Sequence, residues 1–265
     1  MSPDVSDASS SPVVRERRVM LMAAAMAYVH YRLRVEPKPG HDIAALLAWN
    51  VEDVSQTPEF VFERNRNYIQ QGELYHAEAN VLRRAYQRRR TNQLLPEGAQ
   101  DEALLARLRG ATVYATLEPC PMCATTIQVA GVARAYYCVD DPGLRDRATR
   151  QSRFYLPRGS EGAGLESSRS ESLLCEAANE RVWAAVKAAN GVRLTQLLAE
   201  DGDALFGPFR NALEAWRRPY PQNVQLLANL QLAVRHSTTD QVWRRGAERA
   251  LKLGDEIGDR LGGRP

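Results

Sequence analysis

The fold of this chain is decided by the stretch ATVYATLEPCPMCATTIQVAGVARAYYCV, which runs from Ala111 to Val139. Its opening, Ala111 to Thr116, is rich in β-branched and aromatic residues and predicts a strand. Pro119 and Pro121 interrupt the strand, and a helix is expected from Cys120 to Val129 and a second strand from Ala133 to Val139. A strand, a helix and another strand in this order favour a parallel pair joined by a right-handed crossover, so the core is expected to be α/β.

The segments before this unit add further elements. A short apolar run from Ile43 to Trp49 predicts a buried strand, and Phe60 to Glu63 predicts its hairpin partner. Apolar residues recur at helical spacing between Tyr75 and Arg90, which predicts a helix there. An earlier helix is expected to begin near Val13.

Composition places the chain among ordinary globular proteins. Of its 265 residues, 44% are apolar and 25% are charged, and the formal net charge of +3 is too small to indicate a nucleic-acid partner by itself. Arginines cluster between Arg83 and Arg90, where they form either a solvated helix face or a grip on phosphate groups. The four cysteines are too few for a disulfide framework, which favours a reducing cytoplasm.

Three regions are expected along the chain. Residues 1–12 are rich in Ser, Asp and Pro and predict a disordered tail. The main domain is expected over residues 13–160, with an insertion at 87–110. A glycine-rich break follows, and residues 161–265 then show mainly helical periodicity, which predicts a helical C-terminal extension.

One segment near the start of the chain has two interpretations. Basic residues between Arg15 and Arg18 precede an apolar run from Val19 to Val29, a pattern that imitates a secretory signal. The run continues into His30 without a clean cleavage region, so a first core helix is the favoured interpretation. No apolar stretch is long enough to span a membrane, and no membrane partner is expected.

Cys120 and Cys123 are the first candidate metal ligands. Residues three apart on a helix project from the same face, so two thiolates can converge on one ion. Pro121 suits the first helical position, and the N-terminus of a helix favours thiolate over thiol. Two sulfur atoms leave a tetrahedral zinc ion incomplete, and His76 is the best nitrogen donor among the four histidines because Glu78 lies beside it.

Glu78 is the candidate catalytic residue. Residues two apart on a helix diverge, so Glu78 is not expected to bind the ion together with His76. Zinc lowers the pKa of a bound water, and a carboxylate at the helix start can move the released proton to a substrate. The four residues therefore predict a hydrolytic site with Zn²⁺ as its cofactor.

The order of these residues resembles a known family. HAE at residues 76–78 followed by PCPMC at residues 119–123 matches the H-x-E and P-C-x-x-C signature of zinc nucleobase deaminases. The segment ATVYATLEPCPMC resembles the metal-site segment of the tRNA adenosine deaminase branch of the cytidine deaminase-like superfamily. Asn65 stands where that branch places an asparagine that holds the substrate, and Asn67 is a competing candidate.

The resemblance implies a three-layer α/β/α sandwich with a mixed sheet of about five strands, zinc between two helices and, in many members, a homodimer. The resemblance covers roughly residues 40–145. It implies that the main domain, residues 13–160, is a zinc deaminase domain, which converts an exocyclic amine of an adenine-type or cytosine-type base to a carbonyl and releases ammonia. The substrate would be a free nucleoside or nucleotide, or a base in tRNA or another single-stranded nucleic acid. One departure from that branch is Asn80, which stands where an apolar residue is common.

Two other classes of protein are alternatives. A noncatalytic zinc-binding partner subunit would keep the deaminase fold without turnover, and the presence of Glu78 disfavours it because such a subunit has no use for a proton shuttle. A thiol redox protein would use Cys120 and Cys123 but would leave His76 and Glu78 unexplained.

Overall fold

The structure is a computed structural model, and it describes the larger part of the chain. The described residues are 10–29, 39–92, 108–132, 134–144, 166–169, 173–189 and 212–237, with 194, 196–198, 205 and 209 between them. Most of the tail predicted for residues 1–12 and most of the insertion predicted at 87–110 lie outside these ranges.

As far as β4, the helices and strands follow the predicted order. They are α1 (Pro12–Val29), β1 (Ala44–Trp49), β2 (Glu59–Arg64), α2 (Ala77–Asn92), β3 (Thr112–Leu117), α3 (Pro121–Val129), β4 (Arg134–Val139), β5 (Glu166–Arg169), α4 (Leu173–Ala188) and α5 (Val224–Ser237). A 3-10 turn, Pro221–Asn223, precedes α5. The helix expected from Cys120 begins one residue later, because Cys120 has an extended backbone (φ −65°, ψ 164°) and caps the helix.

The strands form one mixed sheet in the order β2-β1-β3-β4-β5. β1 pairs antiparallel with β2 and β3, whereas the β3–β4 and β4–β5 pairs are parallel. The hairpin of β1 and β2, the parallel pair of β3 and β4 and the mixed α/β sheet are therefore confirmed. β5 was not predicted: its sequence, ESSR, has no apolar run, and it becomes a strand through its pairing with β4.

Helices cover both faces of the sheet. On one face, the Tyr28 ring of α1 stacks on Phe62 of β2 with the centroids 4.8 Å apart. On the other face, Arg84 of α2 donates to the carboxylate of Glu63 at 3.0 Å. Successive strand residues point to opposite faces, so α1 and α2 lie on opposite sides. α3 packs beside α2, and α5 packs beside α1, which completes the expected three-layer α/β/α sandwich.

The helix α1 belongs to the core. Seven consecutive residues, Met20 to Met26, have no exposed surface, and the helix packs against β1 and β3. This burial agrees with the interpretation of the segment as a first core helix. Within the described ranges, no helix combines the length and the apolar character needed to cross a membrane.

The described C-terminal elements pack onto the same sheet and helices. α4 contacts β4, and α5 contacts α1. The buried guanidinium of Arg17 donates to Asn223 Oδ1 at 2.6 Å and to the carbonyl of Asp53 at 2.7 Å. Asn223 donates in turn to Glu16 Oε2 at 2.8 Å. These bonds join α1 to the loop after β1 and to the turn before α5, while the boundary between residues 160 and 161 stays a prediction.

Candidate metal and catalytic site

The candidate ligands lie at the N-termini of two neighbouring helices. His76 immediately precedes α2, and its carbonyl accepts the backbone N–H of Asn80 at 2.9 Å. Cys120 caps α3 in the same way, and its carbonyl accepts the N–H of Ala124 at 2.9 Å. The positive ends of both helix dipoles therefore point toward one place, which favours thiolates there.

The three ligand atoms are close enough to share one ion. His76 Nδ1 lies 3.5 Å from Cys120 Sγ and 3.5 Å from Cys123 Sγ. Nitrogen and sulfur atoms that bind one tetrahedral zinc ion are about 3.6 Å apart, as its bond lengths require. Among the residues that the structure describes, this is the one cluster of three such side chains whose ligand atoms lie within 4.8 Å of one another. The distances and the donor types both fit zinc.

The two thiols have opposite pKa shifts. The pKa of Cys120 is lowered to about 4, first by a hydrogen bond from the Cys123 thiol and then by one from His76. The pKa of Cys123 is raised, because its proton is held by Cys120 and because it is buried. The hydrogen bond to Cys120 also raises the pKa of His76. The thiolate form of Cys120 is thus favoured over the thiol, and a thiolate is the form of cysteine that binds a metal ion.

Glu78 lies in the first turn of α2 and is buried, with 3% of its surface exposed. Burial raises the pKa of its carboxyl group to about 7. Its carboxylate is not a member of the three-residue cluster, but it lies near enough to Cys123 to exchange a hydrogen bond. The arrangement therefore places a buried carboxyl group beside three candidate ligands, and three protein ligands would leave one position of a tetrahedral zinc ion open.

Asn65 and Asn67, the two candidates for substrate contact, have different surroundings. Asn65 Oδ1 accepts the N–H of Ala77 at 2.6 Å, which places the side chain at the start of α2, next to His76. Its Nδ2 atom is buried and has no hydrogen-bond partner among the described residues. Asn67 Oδ1 instead accepts the N–H of His41 at 3.3 Å and braces a loop. A buried donor without a partner is therefore found at Asn65 and not at Asn67.

Glu118 stabilises the loop that carries Cys120. Its Oε2 atom accepts the N–H of Asp141 at 3.0 Å, and its own N–H donates to the carbonyl of Val139 at 2.8 Å. This carboxylate holds the end of β3 against the end of β4, so it has a structural role.

Sequence reasoning identified Asn80 as a departure from the family pattern but gave it no role. Asn80 is 5% exposed and contacts the segments that precede Asn65 and His76. Arg83 lies one turn further along α2, donates to Asn80 Oδ1 at 2.7 Å and stacks over the ring of Tyr75. The sequence contains one sign of this role: Asn80 is a polar residue at a buried position of α2, one turn after His76.

Comparison with known proteins finds a family whose model matches the part of the chain that contains the site. The family model of the cytidine and deoxycytidylate deaminase zinc-binding region matches residues 16–139, a range that includes the metal cluster, Glu78 and the strands β1 to β4. This match supports a relationship of the chain to the cytidine deaminase-like superfamily.

Curated relatives of the chain are tRNA-specific adenosine deaminases. The protein from Agrobacterium fabrum (strain C58 / ATCC 33970) is 56% identical over 36 residues, which are 14% of this chain and 24% of the relative. The protein from Bacillus subtilis (strain 168) is 40% identical over 70 residues, which are 23% of this chain and 44% of the relative. The chain thus matches less than half the length of each.

A solved structure also resembles the chain. It comes from a study of A-to-I editing by tRNA deaminases at the wobble position of transfer RNA. It is 25% identical with a TM-score of 0.38, and the match covers 57% of this chain and 98% of that one.

Proposed function

We propose that the chain is a zinc-dependent hydrolase that replaces an exocyclic amine of a nucleobase with a carbonyl and releases ammonia. The observation that carries this proposal is the convergence of His76, Cys120 and Cys123 beside the buried carboxylate of Glu78. Three protein ligands with one open position are typical of catalytic zinc, whereas structural sites have four. When bound, zinc would supply a water that loses its proton near neutral pH.

Glu78 performs the proton transfers. Its burial keeps the carboxylate away from bulk solvent, so a proton that it accepts from water passes to the substrate. The first transfer is to the ring nitrogen beside the reacting carbon, and the second is to the leaving amine. One water and one amino group are consumed, and one carbonyl and one ammonia are formed.

Asn65 binds the substrate. Its Oδ1 atom is occupied by the N–H of Ala77, but its Nδ2 atom is a buried donor that lacks a partner among the described residues. An unpaired buried donor costs about 1–3 kcal/mol, so an acceptor on the substrate would recover that free energy. A carbonyl, a ring nitrogen or a sugar hydroxyl of the substrate could each accept this hydrogen bond.

The base is of adenine or cytosine type. The tRNA-specific adenosine deaminases among the relatives support adenosine in tRNA as the first substrate to test. A base in a polynucleotide must be single-stranded or flipped out of its stack to reach such a site, whereas a free nucleoside or nucleotide need not be. A reducing cytoplasm is the proposed compartment, because four cysteines in a chain of 265 residues are too few for a disulfide framework.

The proposal is tested by mass spectrometry. The purified, zinc-loaded full-length chain is incubated with tRNA, single-stranded DNA, nucleotides, nucleosides and free bases, and amine-to-carbonyl mass changes are measured. The control is Glu78→Gln, which keeps the size of the side chain but cannot accept the proton. We expect one class of substrate to be converted by the native chain and not by the variant. Light scattering of the same samples tests the homodimer.

Two results would contradict the proposal in different ways. Full turnover by Glu78→Gln would exclude the assigned proton transfers. Zinc binding without conversion of any substrate would favour the noncatalytic zinc-binding subunit instead.

A further inference from the structure

The side chain of Asn80 connects the two backbone segments that carry the site. Its Nδ2 atom donates to the carbonyl of Arg64 at 2.9 Å and to the carbonyl of Tyr75 at 3.0 Å. Arg64 immediately precedes Asn65, and Tyr75 immediately precedes His76. One amide group therefore holds the peptide units next to the substrate-binding candidate and next to the metal-ligand candidate.

The orientation of this amide is determined by its neighbours. Arg83 can only donate hydrogen bonds, so the atom it contacts at 2.7 Å must be Asn80 Oδ1. The two backbone carbonyls can only accept, so the atom between them must be Nδ2. The guanidinium of Arg83 is itself held over the ring of Tyr75, 5.0 Å from its centroid. Because Arg83 fixes Oδ1, the amide cannot rotate without losing all three bonds.

Two further bonds join the same segments. Ala77 donates its N–H to Asn65 Oδ1 at 2.6 Å, and Arg66 donates its N–H to the carbonyl of Tyr75 at 2.9 Å. The backbone N–H of Asn80 also donates to the carbonyl of His76 at 2.9 Å. Asn80 thus contacts the carbonyl before His76 through its side chain and the carbonyl of His76 through its backbone, which restrains the backbone from which the imidazole ring projects.

We propose that Asn80 is a positioning residue that fixes His76 relative to Asn65, and so fixes the metal relative to the amide that binds the substrate. This inference rests on the proposed function, because it takes His76 as a metal ligand and Asn65 as a substrate contact. An apolar residue at this position would pack on the sheet but would leave the carbonyls of Arg64 and Tyr75 without this donor. Residues that orient a metal ligand typically change metal affinity by about 10- to 100-fold when they are replaced.

The experiment uses the full-length chain and does not depend on knowing the substrate. Zinc affinity is measured by competition with a chromogenic chelator, and the visible d–d spectrum of the cobalt-substituted protein is recorded, since it reports ligand geometry. Asn80→Leu removes the donors, whereas Asn80→Asp keeps the shape of the side chain and removes both N–H groups. The matched control is Asn229→Asp on α5, where the asparagine is half-buried and accepts from Gln225 at 2.8 Å.

We expect both Asn80 variants to bind zinc about tenfold more weakly and to show altered cobalt spectra, and we expect Asn229→Asp to behave like the native chain. If Asn80→Leu does not fold, the zinc affinity and the cobalt spectrum of Asn80→Asp test the proposal. Native affinity and a native spectrum in the Asn80 variants, even with a lower melting temperature, would overturn this inference alone. A native chain that binds neither zinc nor cobalt would overturn the proposed function together with it.

Discussion

Arg17 and Asn223 are 206 residues apart in the sequence, yet the Nε–H of Arg17 donates to Asn223 Oδ1 over 2.6 Å. The same guanidinium also contacts backbone carbonyls of the loop after β1, including that of Asp53 at 2.7 Å. Because the Arg17 side chain is buried, these acceptors take the place of the water that would otherwise solvate its charge. The pair therefore couples the first helix to the last described one.

Replacing Arg17 with Met should destabilise the protein strongly. The change removes the Arg17 donor of Asn223 Oδ1 and of the carbonyls of Val51 and Asp53, and we expect a loss on the order of 3 kcal/mol in the free energy of unfolding. Urea denaturation followed by circular dichroism measures it. Arg15→Met is the matched control, because Arg15 is exposed on the same helix and its loss should change stability by less than about 0.5 kcal/mol. Equal effects of the two changes would contradict this account of Arg17.

Gly40 should not tolerate a side chain. A Cβ atom at this position would lie 2.8 Å from the backbone carbonyl group of Asn65, and backbone cannot move aside as a flexible side chain can. We expect Gly40→Ala to lower the free energy of unfolding by about 1–3 kcal/mol through overpacking. In the control, Gly143→Ala, the nearest atom is a carboxylate oxygen of Asp141 at 3.1 Å, so a smaller loss is expected. Chemical denaturation of both variants measures these losses. A Gly40→Ala variant as stable as the native chain would contradict the close packing of Gly40 against the backbone of Asn65.

Metal removal should lower the melting temperature of the native chain. An ion that binds only the folded state stabilises it by about 4 kcal/mol when its free concentration is a thousandfold above Kd. We expect a chelator to abolish this stabilisation in the native chain and to have no effect on Cys123→Ser. Cys138→Ser is the control: Cys138 is equally buried but lies outside the cluster, so this variant should keep its response to the chelator. Identical melting curves of the native chain with and without chelator would exclude a stabilising metal.

Alkaline pH should destabilise the protein through Tyr28. Burial raises the pKa of its hydroxyl group to about 12, above its ordinary value of 10.0. The unfolded chain therefore loses this proton at lower pH than the folded one. The contribution to stability is complete below pH 10 and is lost as the pH rises toward 12, by up to about 3 kcal/mol.

The variant Tyr28→Phe removes this titration and keeps the ring that stacks on Phe62. We expect its free energy of unfolding to fall less steeply than that of the native chain between pH 10 and pH 12. Parallel slopes for the two proteins, measured by urea denaturation at a series of pH values, would show that Tyr28 ionises equally in the folded and unfolded chains.

The parts of this structure that sequence predicted depend on local patterns. The alternation of strand and helix around residues 111–139 and the spacing of Cys120 and Cys123 are properties of neighbouring residues, and the structure follows them closely. The convergence of His76 with the two cysteines could be proposed because few residue types bind zinc.

Other features depend on contacts between distant segments, which no local pattern reveals. The polar strand Glu166–Arg169 exists because the edge of β4 is there to pair with it. The role of Asn80 follows from two carbonyls, those of Arg64 and Tyr75, which become neighbours only after β2 and α2 have packed together.

The strand β2 forms one edge of the described sheet, and edge strands are common sites of aggregation because their backbone groups are free to pair with another chain. Here the side chains of α2 occupy two backbone carbonyls of this strand: Arg84 contacts that of Phe62, and Asn80 contacts that of Arg64. A second chain cannot extend the sheet at these positions without breaking those bonds. Self-association by strand addition is therefore disfavoured along this part of β2.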